Sequence, residues 1–152
     1  MCSARRRAFW LPLILAGCLA AAGSAGAAGT HVKARKPLSI SQGERVDLAD
    51  FIVRGKFTIF DFTSEYCPPC RAYDEPLYLL HEQRDNVAVV KIDINRSMFH
   101  KIDWDSPVAK QYDLHSIPHF VIYGPDGKLV AADTAEERPA RALVDKMINA
   151  LD

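Results

Sequence analysis

An excess of charge of either sign is missing from this chain: 19 basic side chains stand against 19 acidic ones among 152 residues. That balance gives no reason to expect a nucleic acid or an anionic membrane surface as a partner. Cysteine is scarce too. Four residues are too few for a disulfide-built scaffold, so each has to be read by its position. No repeat with a period of about 20–50 residues is present, which sets aside solenoids and propellers. Hydrophobic residues make up 49% of the chain and charged ones 25%. Such a composition excludes a disordered chain and, at this length, suits one domain.

The neutral total conceals an asymmetry. Residues 1–17 hold Arg5, Arg6 and Arg7 and no acid, and the remainder carries 16 basic against 19 acidic groups, a net charge of −3. Behind the arginines, Ala8–Gly17 is an apolar run followed by small residues, the layout of a secretory signal. Leu15-Ala16-Gly17-Cys18 resembles the bacterial lipobox, in which cleavage before the cysteine leaves a residue that carries lipid. The expectation is therefore a lipoprotein-type signal peptide over 1–17, lipidation at Cys18, a flexible Ala/Gly-rich tether over 18–37 and a folded domain over 38–152. Two other outcomes stay open. Ordinary cleavage suits the small residues Ser24-Ala25-Gly26-Ala27, and Ala8–Gly29 is long enough to remain as an uncleaved anchor. All three export the domain, to the periplasmic side of the cell envelope, held by lipid on Cys18 or soluble. Cys2 falls in the discarded stub.

Within the domain, Phe57–Phe62 and Val87–Ile94 are short β-rich apolar runs, as expected for strands buried on both faces. A helical stretch from Pro68 to Arg84 lies between them, with Pro76 expected to kink it. Strand, helix, strand with this crossover is a βαβ unit with parallel strands. Further on, Phe120–Tyr123 and Lys128–Ala131 flank Gly124-Pro125-Asp126-Gly127, a hairpin turn sequence. Ala140, Leu143, Val144, Met147, Ile148 and Leu151 then mark one face of an amphipathic helix. Its start is open between a Thr134/Glu137 capping box and Pro139. A short helix near Ser106–Tyr112 joins the halves. The fold class is α/β: βαβ plus ββα around a central mixed sheet, with helices on both faces.

The chemistry points to Cys67-Pro68-Pro69-Cys70, placed just after a strand at the opening of a helix. Two intervening residues in a helical first turn bring the sulfurs within disulfide reach. Amides at the helix start favour a thiolate on Cys67, the attacking species in disulfide exchange, and Cys70 is then the resolving thiol. A structural disulfide would more often close a longer loop. Zinc would need a second ligand pair, which the domain lacks. Copper delivery, assisted by His119 or by Met98 and His100, stays open beside the redox reading.

From Phe57 to Leu151 the chain resembles thioredoxins. Asp61, six residues before Cys67, matches that family's buried acid, and Lys91 on the next strand matches the lysine that partners it. Ile117-Pro118 matches the Ile–cis-Pro beside the active site, and Gly124–Leu129 the hairpin turn. The resemblance implies that Asp61 accepts a proton from Cys70 during resolution, and that Pro118 shapes a groove where Ile117 offers backbone groups to an extended substrate. Tyr66 stands, like Thr63, where the family usually has tryptophan, and is assigned with Ile117 and Pro118 to substrate contact. His119 is read as a strand residue that packs.

Departures limit the transfer. Pro-Pro replaces the usual Gly-Pro, and no histidine lies between the cysteines, unlike in many strong disulfide oxidases. Asn95–Pro107 is longer than in a minimal thioredoxin, and Asp133–Arg138 lacks the glycine of the family's substrate-facing loop. The expectation is an exported protein-disulfide reductase, monomeric, with no metal and no cofactor beyond the Cys67–Cys70 pair. Its partners would be protein thiol/disulfide substrates, an upstream electron donor and, through Cys18, a membrane. An oxidase or isomerase of the same fold, or a copper-binding chaperone, is the alternative.

Overall fold

The computed structural model describes residues 31–151. The expected signal, Cys18 and most of the tether lie outside the described residues. Strand β1 (Leu38–Ile40) is followed by a 3₁₀ turn at Leu48–Phe51, then β2 (Phe57–Thr63), α1 (Pro68–Arg71), α2 (Asp74–Gln83) and β3 (Val87–Asp93). The second half supplies α3 (Pro107–Gln111), β4 (His119–Tyr123), β5 (Leu129–Ala132) and α4 (Pro139–Ile148). The sheet order is β1-β3-β2-β4-β5. β1, β3 and β2 run parallel, and β4 and β5 are antiparallel to their neighbours. Among the described residues no helix is long and apolar enough to cross a membrane.

β2 is central and its five inner residues are all buried, which is why its sequence is a continuous apolar run broken only by Thr58 and Asp61. Its alternate residues feed two cores. Phe60 and Phe62 join Val90, Ile92 and Val108 on one face, while Ile59 joins Leu77, Leu80, Val89, Phe120 and Val144 under α2 and α4. Asp61 pairs in register with Lys91 on β3 and Phe120 on β4, so the parallel β2–β3 neighbours anticipated from the sequence are present.

Two local expectations need correction, and one left open is decided. The helix after the cysteines is two helices, broken at Ala72–Tyr73, and Pro76 is not where it bends. Pro76 is the third residue of α2, inside the first turn, where a missing N–H leaves no intrahelical bond unmade. The final helix begins at Pro139. Thr134 instead folds its own turn, its hydroxyl accepting from the Glu136 and Glu137 amides at 3.3 and 3.0 Å.

The last residues of the expected tether are in contact with the domain. His31 stacks on Phe51 with ring centroids 5.5 Å apart, and Lys33 donates to the carbonyl oxygens of His81 and Arg84. His81 is buried at the end of α2. Its Nδ1 accepts from the Val89 amide at 3.0 Å and its Nε2 donates to the Ala34 carbonyl at 2.9 Å. Val89 lies one residue before the first β1–β3 pair, Leu38 and Val90, so the imidazole supplies an acceptor where the short edge strand has run out.

Candidate active site

β2 ends at Thr63 and the chain turns through Ser64 to Cys67, the N-cap of α1. Cys67 and Cys70 form a disulfide, with an S–S distance of 2.04 Å and Cα atoms 5.3 Å apart. Pro68 and Pro69 occupy the first helical positions, where proline's fixed φ suits the helix and its missing N–H matters least. The consequence is electrostatic. With both prolines lacking an amide proton, Cys70 is the first residue after Cys67 that can donate, and its N–H reaches Cys67 Sγ at 3.2 Å. α1 holds only four residues, so its aligned dipole is short, and this one amide is the stabilisation visible for a Cys67 thiolate.

An attacking sulfur has to be reached by its substrate, yet in the disulfide Cys67 is 2% exposed and Cys70 fully buried. In the oxidised state the Cys67 sulfur is bonded to Cys70 on one side and approaches the Ile117 carbonyl oxygen at 3.7 Å on the other. The exposed residues of the motif are Pro68 and Pro69.

The Ile117–Pro118 peptide is cis. Both residues precede β4, so the N–H and C=O of Ile117 stand outside the ladder, with the carbonyl turned to the disulfide. Two arginines of the last helix region hold this segment from behind. Arg138 donates to Ser116 Oγ, and Arg141 donates to the Pro118 carbonyl. Asp133, buried, fixes the same corner, its carboxylate accepting from the amides of Phe120 and Arg141 at 3.0 Å each. Nothing in the sequence signals these residues, since a helical arginine reads as solvated surface and Asp133 as loop.

Asp61 is fully buried, and neither carboxylate oxygen has a hydrogen-bond partner. Burial raises its pKa to about 7, with Asp74 adding to the rise and the Lys91 and Arg141 cations opposing it. The lysine expected to partner Asp61 is turned elsewhere. Lys91 is bonded to Asp74, in the first turn of α2. That carboxylate is half-exposed, so the pair keeps part of its hydration. Drawing the ammonium down to Asp61 would require desolvating it. Asp74 is the residue that reading the sequence missed. Only the fold brings it to the mouth of the Asp61 site.

Tyr66 is half-buried beside Cys67, with its hydroxyl 3.3 Å from His100 Nδ1. His119 packs edge-on against Phe62, with centroids 5.6 Å apart, and burial lowers its pKa. It faces the core opposite Asp61 and lines a groove of about 570 Å³ with Tyr112, Ser116 and Thr134, to which neither cysteine contributes. Among the described residues no group of three or more His, Cys, Asp or Glu side chains could hold a metal ion. Cys67, Cys70, Ile117 and Pro118 come together; Asp61 lies buried on the strand that leads to them; Lys91 is one step removed.

The family model for thioredoxin matches residues 45–149. The chain belongs to the thioredoxin family. It is 31% identical over 99 residues to a thioredoxin H-type of Brassica campestris, covering 62% of this chain and 72% of that one. It is 32% identical over 84 residues to a thioredoxin of Chlamydia trachomatis, covering 55% and 72%. Among solved structures, thioredoxin f from spinach chloroplast (short form) superposes with a TM-score of 0.51 at 20% identity, covering 80% of this chain and 99% of that chain. A chain from a complex of ferredoxin:thioredoxin reductase with thioredoxin f2 gives the same TM-score and identity, covering 80% and 100%. These last two likenesses concern the fold. Family membership and the Cys67–Cys70 disulfide make this a thioredoxin-type thiol–disulfide oxidoreductase.

Proposed function

We propose that this thioredoxin-family protein is an exported, lipid-anchored reductase of protein disulfides in the cell envelope. The observation that carries the redox chemistry is the Cys67–Cys70 disulfide set against the free backbone groups of Ile117, with the buried, unpaired carboxyl of Asp61 on the strand below. In the forward cycle the reduced Cys67 thiolate attacks a substrate disulfide, forming a mixed disulfide and releasing one substrate thiolate. Asp61, ionised, takes the Cys70 proton. The Cys70 thiolate attacks Cys67 Sγ, the second substrate thiol leaves with a proton, and the pair ends oxidised. Two electrons pass to the substrate, and an upstream dithiol donor restores the pair. One of the solved chains of this fold was crystallised with a reductase, which supports a donor of that kind.

Reduction is favoured over oxidation by the thiolate's surroundings. A strong oxidase stabilises its reduced form through a heavily supported thiolate. Here Pro68 and Pro69 withhold two amides, no histidine intervenes, and the Cys70 N–H is the donor to Cys67 Sγ. A redox titration of the pair against glutathione decides the direction. A potential near that of thioredoxin, about −270 mV, supports the reductase, and one near about −120 mV makes it an oxidase.

The envelope assignment rests on Arg5–Arg7, the apolar run behind them and Leu15-Ala16-Gly17 directly before Cys18. Full-length chain expressed in a bacterial host with labelled palmitate should carry label, and a Cys18→Ala variant none. An unlabelled chain whose N-terminus maps near Ala27 would replace the anchor by ordinary secretion.

A further inference from the structure

The segment Asn95–Pro107 is built with more care than a surface loop needs. Asn95, buried, accepts from Ser64 Oγ at 2.7 Å and donates to the Lys101 carbonyl at 2.6 Å, closing the loop onto the turn that leads to Cys67. Arg96 forms a two-point ion pair with Asp103, at 2.7 and 3.0 Å, and the Asp103 carboxylate is buried. The same guanidinium lies 4.5 Å from the Phe99 ring centre. At the base, Gly43 has φ +83°, and a Cβ there would fall 2.7 Å from the Arg96 amide, so only glycine admits the loop this close.

This bracing leaves apolar side chains in water. Met98 is 75% exposed and Trp104 40% exposed. Between Trp104 and Tyr66, with Ile102 as floor and His100 and Lys101 at the rim, lies a groove of about 550 Å³. Tyr66, one wall of the groove, directly precedes Cys67, and Asn95 ties the loop to Ser64 in the same turn, so the groove is held next to the cysteine motif. A loop pinned by a buried ion pair that still holds an indole outward presents a fixed apolar surface, the form in which a contact costs least to make.

We propose that this groove is a docking site for the substrate polypeptide, receiving an apolar side chain that flanks the disulfide attacked by Cys67. The inference rests on the thiol–disulfide reading above and names its substrate class: extended polypeptide with a Leu-, Met- or Phe-like residue near the reactive cysteine. The groove exceeds one side chain in volume and has a polar rim, as suits a residue together with its flanking backbone.

The test uses paired peptides, each carrying one cysteine as a mixed disulfide with glutathione. Members of a pair differ only in leucine against serine, scanned through positions on either side of that cysteine. The parent protein should prefer leucine by about tenfold in kcat/KM at one or two positions, equivalent to about 1.4 kcal/mol. In Trp104→Ala the preference should shrink to within about twofold, while reduction of glutathione disulfide keeps its rate. Trp10 and Trp104 are the two tryptophans of the chain, so a Trp10→Phe, Cys67→Ser protein reports docking through Trp104 emission alone. Leucine peptides should change that emission and serine peptides should not. No leucine preference in the parent at any position, or one that survives in Trp104→Ala, overturns the proposal. So does burial of Trp104 by self-association of the chain. A parent that reduces neither the peptides nor glutathione disulfide overturns the functional reading itself, and is distinguishable by that control.

Discussion

Asp61 and Lys91 stand opposite each other in the β2–β3 ladder, yet the Lys91 ammonium is bonded to Asp74 and the Asp61 carboxyl to nothing. A buried acid left this way holds its proton into the neutral range, with a pKa of about 7. That is the range in which it can both receive a proton from a thiol and release it again.

The contribution of Asp61 to stability should therefore fall as pH rises toward neutrality. The folded protein keeps the Asp61 proton up to about pH 7, whereas the unfolded chain releases it near 3.8. Between those values the unfolded state gains by ionising and the folded state does not. Asp61→Asn should lose this dependence and be more stable than the parent at pH 8, by at most about 4 kcal/mol. Urea unfolding at pH 5 and pH 8 measures it. A variant no more stable than the parent at pH 8 would show that Asp61 is a needed structural group.

Resolution kinetics should report the same carboxyl. The rate at which Cys70 releases a mixed disulfide should climb with pH through an apparent pKa near 7, and Asp61→Asn should flatten and slow it by roughly 10- to 100-fold. In Asp74→Asn, one carboxylate that raises the Asp61 pKa is gone and Lys91 is released, so the profile should move to lower pH. Lys91→Gln should move it higher. Rapid-mixing experiments with a peptide mixed disulfide distinguish these, and identical midpoints in all three proteins would remove Asp74 from the site.

Cys67→Ser should show no exchange at this site, because the sulfur that receives the Cys70 N–H is gone and the Cys70 sulfur lies fully buried behind that position. Cys70→Ser should accumulate mixed disulfides that survive on non-reducing gels, since attack proceeds and resolution does not. Normal turnover by the Cys70 variant would mean that another thiol resolves.

His81 should make the protein acid-sensitive. Its Nδ1 accepts from the Val89 amide, so a second ring proton has nowhere to go, and burial lowers its pKa, with Lys33 adding to the effect. With the folded pKa depressed, the stability it contributes is present above the usual histidine range and lost as pH falls through and below it. His81→Leu should cost about 2–3 kcal/mol at pH 7.5, by orphaning the Val89 amide, and lose the acid dependence. Melting curves of the parent and of His81→Leu at pH 5 and 7.5 test this, since both proteins share the opposing Asp61 dependence. A stability difference between the two proteins that is the same at both pH values would contradict it.

Much of the fold was legible in the chain because its strands are buried on both faces. A run such as Phe57–Phe62 has few other readings, and Gly-Pro-Asp-Gly is a turn wherever it occurs. β1 is not legible because Leu38-Ser39-Ile40 is three residues at a sheet edge, two of them exposed, with no periodicity to detect. The helix break is not legible because Ala72 and Tyr73 carry no breaking residue, while Pro76 sits where a first turn tolerates it. In the site, the residues that carry chemistry through their type were visible: two cysteines, an acid in an apolar strand and an Ile-Pro pair. Those that act through placement were not. Asp74 and Arg141 are ordinary helix residues until the chain folds and sets one against Lys91 and the other against Pro118.

The grip of Arg138 and Arg141 on the segment Ser116–Pro118 bears on when during synthesis this protein becomes competent. The cysteines are made before the midpoint of the chain, but the segment that faces them is fastened from its last helix, ten residues ending at Ile148. Until those residues have emerged and packed, the dithiol exists without its finished groove. A nascent chain can then exchange with passing disulfides but not choose among them, and selectivity arrives once α4 docks. A truncation just before Pro139 should mimic the unfinished chain, with reactive sulfurs and little discrimination.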